Sequence, residues 1–181
     1  MIRWKPFEYQ GICYDLTHLH PKTIHYEQTS QENKPARYYT VEVIFGLHCF
    51  TRGLKDGEHS DETLLYRDAR ETRIFDFQRH QLSIRLPRIV DELQTRKCFH
   101  TGKGNFFTVE MISPQDARLI IEYDIFFEAS RSTRRGIINL FVQSAYVRDS
   151  MHDSNRPKKK PIRFDVILYN TLNNKPIRLP K

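Results

Sequence analysis

The chain has 181 residues, enough for one domain that buries its own core, and 39% hydrophobic with 12% aromatic residues speak for a packed chain rather than a disordered one. Three cysteines, Cys13, Cys49 and Cys98, are an odd number at wide spacing, which excludes a disulfide framework and points to a reducing compartment. The start MIRWKPFEYQ lacks a signal-peptide core, and no apolar run approaches the roughly 18 residues of a membrane span, so a soluble cytoplasmic protein is expected.

The formal charge of +7 is unevenly placed. Residues 131–181 hold twelve Lys/Arg against three acidic residues, a net of +9, whereas the first 130 residues are slightly acidic. Clustered charge of this kind suits a polyanion such as RNA or DNA, or an acidic protein partner, and equally suits a solvated tail.

Taken in chain order, Phe7 to Leu16 reads as a short hairpin turning at Gln10-Gly11. Thr17 to Ala36 is polar and reads as a long loop. Tyr39, Val41, Val43, Phe45 and Leu47 then alternate with less apolar neighbours, the period of a strand with one buried face. Gly53 to Asp61 is turn chemistry and is expected to be mobile. Between Tyr66 and Phe77 charged and apolar residues mix, and strand and helix stay open. Leu86, Ile89, Val90 and Leu93 fall at helical spacing, with Pro87 in the first turn, which predicts one amphipathic helix within Ser83 to Lys97.

The C-terminal half reads as sheet. Phe107, Val109 and Met111 alternate in one strand that Pro114 ends. Leu119 to Glu128 is a second, with Ile121, Tyr123, Ile125 and Phe127 on one side. Ile137 to Val147 is a third, with Ile138, Leu140, Val142 and Tyr146 facing alike, and 129–136 joins the two as an antiparallel hairpin. A basic loop is expected near 148–162, since Pro157 and Pro161 disfavour helix and central strand, and Phe164, Val166 and Leu168 suggest a last strand. The expected fold is α+β, one domain over 1–181, with a mainly antiparallel twisted sheet and one principal amphipathic helix.

Neither a metal nor a cofactor is expected. His48 and Cys49, as strand neighbours, point to opposite faces, and Cys98 with His100 lacks two further ligands. Glu110, Glu122, Asp124 and Glu128 read as carboxylates on the solvent face of a sheet. The run Arg67 to His80 (RDARETRIFDFQRH) is denser in chemistry. A metal-free ribonuclease needs a base for a 2′-hydroxyl, an acid for the leaving oxygen and cations for phosphate charge. Arg70, Glu71, Arg73 and His80, with His100 and Tyr146, are the candidate catalytic set. Lys103, Arg131, Arg134, Arg135, Arg148, Arg156, Lys158, Lys159, Lys160 and Arg163 are the candidate nucleic-acid contacts. An exposed, salt-laced segment is the bland alternative. No Ser/His/Asp signature, P-loop or dinucleotide fingerprint is present.

YDLTHLHP (14–21), VEVIFGLHCFT (41–51), RETRIFDFQRH (70–80) ahead of LPRIV (86–90), GNFFTVE (104–110) and NLFVQSAYVRD (139–149) together resemble a family of small bacterial and prophage-borne proteins, uncharacterised apart from the label stationary phase growth adaptation protein that some members carry. More loosely, the layout of residues 83–147 and Ser144-Ala145-Tyr146 is similar to phage-linked nucleases of the barnase–EndoU–colicin–RelE class. That likeness implies a metal-independent ribonuclease of toxin or defence systems, although the catalytic His or Arg of the class has no secure counterpart here. A non-catalytic binding or inhibitor protein, engaging nucleic acid or an acidic partner through the basic third, is the alternative.

Overall fold

Gln10 and Gly11 both take positive φ, 49° and 77°, the twist that lets β1 (Phe7–Tyr9) turn directly into β2 (Ile12–Tyr14). The expected hairpin is therefore present. The computed structural model describes residues 3–30, 35–54, 61–113, 120–148 and 157–179. Residues 55–60 of the expected Gly53–Asp61 turn, the strand-ending Pro114, and Arg156 lie outside the described residues.

The segment expected to be a loop after Thr17 contains a strand, β3 (Lys22–Gln28). Its apolar signal is weak because it is an edge strand: only Tyr26 is buried, and His25 and Glu27 face solvent. β4 (Arg37–His48) pairs with it antiparallel, and Tyr39, Val41, Val43, Phe45 and Leu47 are all buried, as the period-two pattern requires. β5 (Thr51–Arg52), β6 (Leu65–Arg67) and β7 (Thr72–Phe75) form a small sheet in the order β5–β7–β6, so the ambiguous Tyr66–Phe77 stretch is two short strand segments around a turn, with helix starting at Phe77.

Among the described residues, α-helix is divided among three elements rather than concentrated in one. α1 (Phe77–Ser83) starts at Asp76, whose carboxylate accepts the Arg79 N–H at 2.9 Å. α2 (Leu86–Asp91) carries the predicted apolar stripe, but it ends after six residues and a 3-10 turn, Leu93–Thr95, completes the buried face. α3 (Phe164–Leu172) replaces the expected last strand. Phe164, Val166 and Leu168 fit period two, yet the buried residues are Phe164, Ile167, Leu168 and Thr171, the i, i+3, i+4, i+7 set of a helix.

β8 (Cys98–His100), β9 (Phe106–Ile112), β10 (Ile121–Arg131), β11 (Ile137–Val147) and β12 (Lys160–Ile162) complete a seven-stranded sheet in the order β12–β8–β9–β10–β11–β4–β3. Every pairing is antiparallel except β11 with β4. The protein is thus a mixed α+β fold, mostly strand. Of the basic loop expected near 148–162, residues 149–156 lie outside the described residues, and Lys160 and Pro161 sit in β12, an edge strand where proline is tolerated.

One sheet face packs against α3. Val41, Val43, Phe45, Ile125, Phe127, Ile138, Leu140 and Val142 meet Phe164, Ile167 and Leu168 there. In β9 Phe106, Thr108 and Ile112 are buried on the α3 side, Phe107 is buried on the other face, and Met111 is exposed. A bulge at Gln143 in β11 reverses the parity of the strand: Val142 pairs with Phe127, but Ser144 pairs with Phe126. Ala145 consequently takes the core side and Tyr146 the opposite one, against the expectation that Tyr146 faces with Val142. On that second face Phe99, Phe107, Phe126 and Tyr146 form a row across four strands, with centroids 5.1, 5.4 and 5.7 Å apart. Asp124 lies there too, but buried rather than solvated, because Arg148 covers it.

Candidate functional site

The turn between β6 and β7 is built by one carboxylate. Asp68 Oδ1 accepts the backbone N–H of Arg70 at 2.7 Å and of Glu71 at 2.8 Å, which fixes both residues at the tip. Burial opposes ionisation of Asp68, yet those two amides and the Arg70 guanidinium hold its carboxyl below the usual range.

That tip overhangs the ends of the parallel pair β4 and β11 on the face away from α3. Between them lies an open cleft of about 690 Å³. Ile44 and Phe141 form its floor, Gln143 and Ser144 one side, and His48 with Glu71 its mouth. Gly46 lets the floor form: a Cβ there would stand 2.8 Å from the Gln143 carbonyl oxygen and 3.0 Å from the Phe141 ring.

His48 Nε2 lies 3.0 Å from Glu71 Oε1. A carboxylate only accepts, so Nε2 carries the proton and the Nδ1 lone pair is left for another donor. The second Glu71 oxygen faces Arg73 Nη1 at 3.4 Å, and Arg73 Nε donates to Thr51 Oγ1 at 3.0 Å. Arg79 anchors the strand end by donating to the carbonyls of His48 and Thr51 at 3.2 and 2.8 Å. The result is an oriented imidazole beside a carboxylate and two guanidiniums, with the His48 side chain 41% exposed. Such a group can move a proton next to an anion.

Of the six catalytic candidates, Arg70 and Glu71 line this cleft and Arg73 supports Glu71. His80 is elsewhere: its Nε2 meets the Asp15 carbonyl at 2.8 Å, within a cluster of Tyr14, His18 and Phe75. His100 is buried near the β8–β9 turn, its Nδ1 accepting the Gly102 N–H at 2.8 Å. Tyr146 stacks on Phe126 with the Arg79 guanidinium 5.3 Å from its ring centroid. His48, which the sequence argues against as a metal ligand, was not among the catalytic candidates. Strand parity, which sets it on the face opposite Leu47 and at the strand end, was the available signal.

The basic candidates are dispersed. Arg134 pairs with Glu42, Arg148 with Asp124, and Lys159 lies 3.9 Å from Glu122 and 5.9 Å from the Phe99 ring. Lys103, Arg131, Arg135, Lys158 and Arg163 are exposed, and Lys160 sits opposite His100 in the β12–β8 ladder. Among the described residues no group of three His, Cys, Asp or Glu side chains could hold a metal ion. Burial pushes the Cys49 and Cys98 thiols up to about 12, which makes them packing groups rather than nucleophiles. No helix among the described residues is long and apolar enough to cross a membrane.

The YjaZ family model matches residues 6–172. Protein YjaZ of Escherichia coli (strain K12) is 30% identical over 184 residues, covering 98% of this chain and 96% of that protein. No solved structure matches the chain. Neither match carries a nuclease activity or a prophage origin. With a model and a relative that both span nearly its whole length, the chain belongs to the YjaZ family.

Proposed function

We propose that the protein acts on nucleic acid, as a metal-independent ribonuclease whose substrate strand lies in the cleft between the β6–β7 tip and the sheet. The observation that carries this reading is the His48–Glu71 pair, 3.0 Å apart, at the mouth of a cleft that also presents Arg70. His48 Nδ1 takes the proton of a ribose 2′-hydroxyl as that oxygen attacks phosphorus. The bond from phosphorus to the 5′-oxygen breaks, and water protonates the leaving oxygen. Glu71, itself held by Arg73, orients the imidazole and stabilises its cation, while Arg70 offsets the charge gathering on the phosphoryl oxygens. Phe141 on the floor offers a base a surface to stack on. A toxin or defence role is the setting proposed with this activity.

The test is incubation of labelled single-stranded RNA with the protein in EDTA. Wild type should cleave, and His48→Ala should cleave at least about a hundredfold more slowly. Retention of RNA without cleavage, unchanged in the variant, would move the reading to a non-catalytic binding protein. Neither cleavage nor retention would leave an acidic protein as the partner to seek.

A further inference from the structure

We propose that a second cavity, on the α3 side of the sheet, binds a phosphate monoester. It does not rest on the cleft reading. The cavity holds about 380 Å³ between the β8–β9 turn, the end of β10 and the last turn of α3. That is the size of a small-ligand pocket rather than of a single ion.

Its polar lining is all donor or neutral. Arg131 and Lys175 are cationic, the Lys175 ammonium also donating to the Tyr169 hydroxyl at 3.2 Å, Asn170 and Thr171 bring an amide and a hydroxyl, and no carboxylate lines it. His100, only 5% exposed, borders the same space. Because its Nδ1 accepts the Gly102 N–H, the neutral ring carries its proton on Nε2, and among the described residues nothing accepts that proton. That donor is left to a ligand or to water. Arg131 likewise has no acceptor among the described residues, and its planar fork matches two oxygens of one phosphate. Lys103, one residue before the lining Gly104, and Lys160, the ladder partner of His100, add positive charge around the rim.

A helix C-terminus normally repels anions. Here the amides of Asn173, Asn174 and Lys175 take up the carbonyls of Tyr169, Thr171 and Asn170, so few free carbonyls face the cavity. Phe106, Ala129 and Ile177 supply an apolar wall beside the cations, which suits the organic part of a monoester better than inorganic phosphate alone.

Such a group could come from a free nucleotide or from the phosphorylated end of an RNA strand. The experiment titrates inorganic phosphate, adenosine 5′-monophosphate and a short 5′-phosphorylated oligoribonucleotide into the full chain. Calorimetry gives the affinity and NMR follows the His100 ring signals. All three should shift the His100 signals, and Arg131→Gln or Lys175→Met should each weaken binding about tenfold. Tighter binding of the oligomer than of the nucleotide, lost with a 5′-hydroxyl end, assigns the strand; equal binding assigns the nucleotide. Unmoved His100 signals at millimolar phosphate, or affinities untouched by Arg131→Gln, overturn the proposal.

Discussion

Asp124 and Arg148 form an ion pair closed off from solvent, both Nε and Nη2 of the arginine lying 2.9 Å from the same carboxylate oxygen with the side chains 0% and 3% exposed. It joins β10 to the end of β11, beside the Phe126–Tyr146 stack. Removing one partner leaves a buried charge without its counter-ion. Arg148→Met should therefore destabilise by about 3–5 kcal/mol, whereas the Asp124→Leu, Arg148→Met double variant should lose much less. Urea denaturation of the two proteins checks this, and equal losses would mean that packing, not charge, governs the position.

Gly46 stands against the main chain of β11, where a Cβ would lie 2.8 and 3.1 Å from the Gln143 and Val142 carbonyl oxygens. Gly46→Ala should cost about 1–3 kcal/mol, because its methyl meets main-chain oxygens that cannot turn away. Gly53→Ala, where a methyl meets nothing within 4 Å, is the control, expected within about 0.5 kcal/mol of wild type. A Gly46→Ala protein as stable as the control would show that the two strands can part.

His18 gives the stability a pH dependence. Burial, helped by the nearby His80, lowers its pKa below the usual 6.5, and its Nε2 is 2.8 Å from the Ser83 hydroxyl. With the folded pKa below the unfolded one, the unfolded chain takes up the proton first as pH falls. The stabilisation is thus complete above the unfolded value and is lost on going below it. Between about pH 7.5 and pH 5 the melting temperature should drop more in wild type than in His18→Gln. Parallel curves would remove His18 from the account.

Electrostatic binding through the C-terminal third has its own signature. If Lys158, Lys159 and Lys160 contact phosphates of a single strand, alanine at all three should flatten the slope of log affinity against log salt by about two units. All sequences should weaken alike, because phosphate contacts carry no base information. An unchanged slope would make these lysines a solubility feature, and the Lys159–Glu122 contact an internal one.

Where one face was buried and the other wet, the sequence could be read directly. β4 and the β10–β11 hairpin follow from alternation alone, and the Leu86, Ile89, Val90, Leu93 stripe is buried as its spacing required. Reading failed where the pattern had two solutions. Phe164 to Leu168 satisfies both periods over five residues, and only Thr171 a turn later settles it as helix. β3 is too polar to announce itself because an edge strand buries little. The bulge at Gln143 leaves no mark that residue types reveal, and it moved Tyr146 to the other face. The cleft was half legible. Arg70 and Glu71 are neighbours in sequence, but His48 joins them only through the packing of β7 beside β5, which no local pattern encodes.

The parallel pairing of β4 with β11 also sets a schedule for synthesis. β3 and β4 can pair as soon as both have left the ribosome, but the other edge of β4 waits for a partner roughly 100 residues further on. At about 5–20 residues per second that is an interval of about 5–20 s in which a twelve-residue strand offers a bare edge to any neighbouring chain. The nascent protein is therefore most prone to aggregate late in translation. A chain cut after residue 136 would keep that edge bare permanently, and should pellet on centrifugation where the full chain stays in solution.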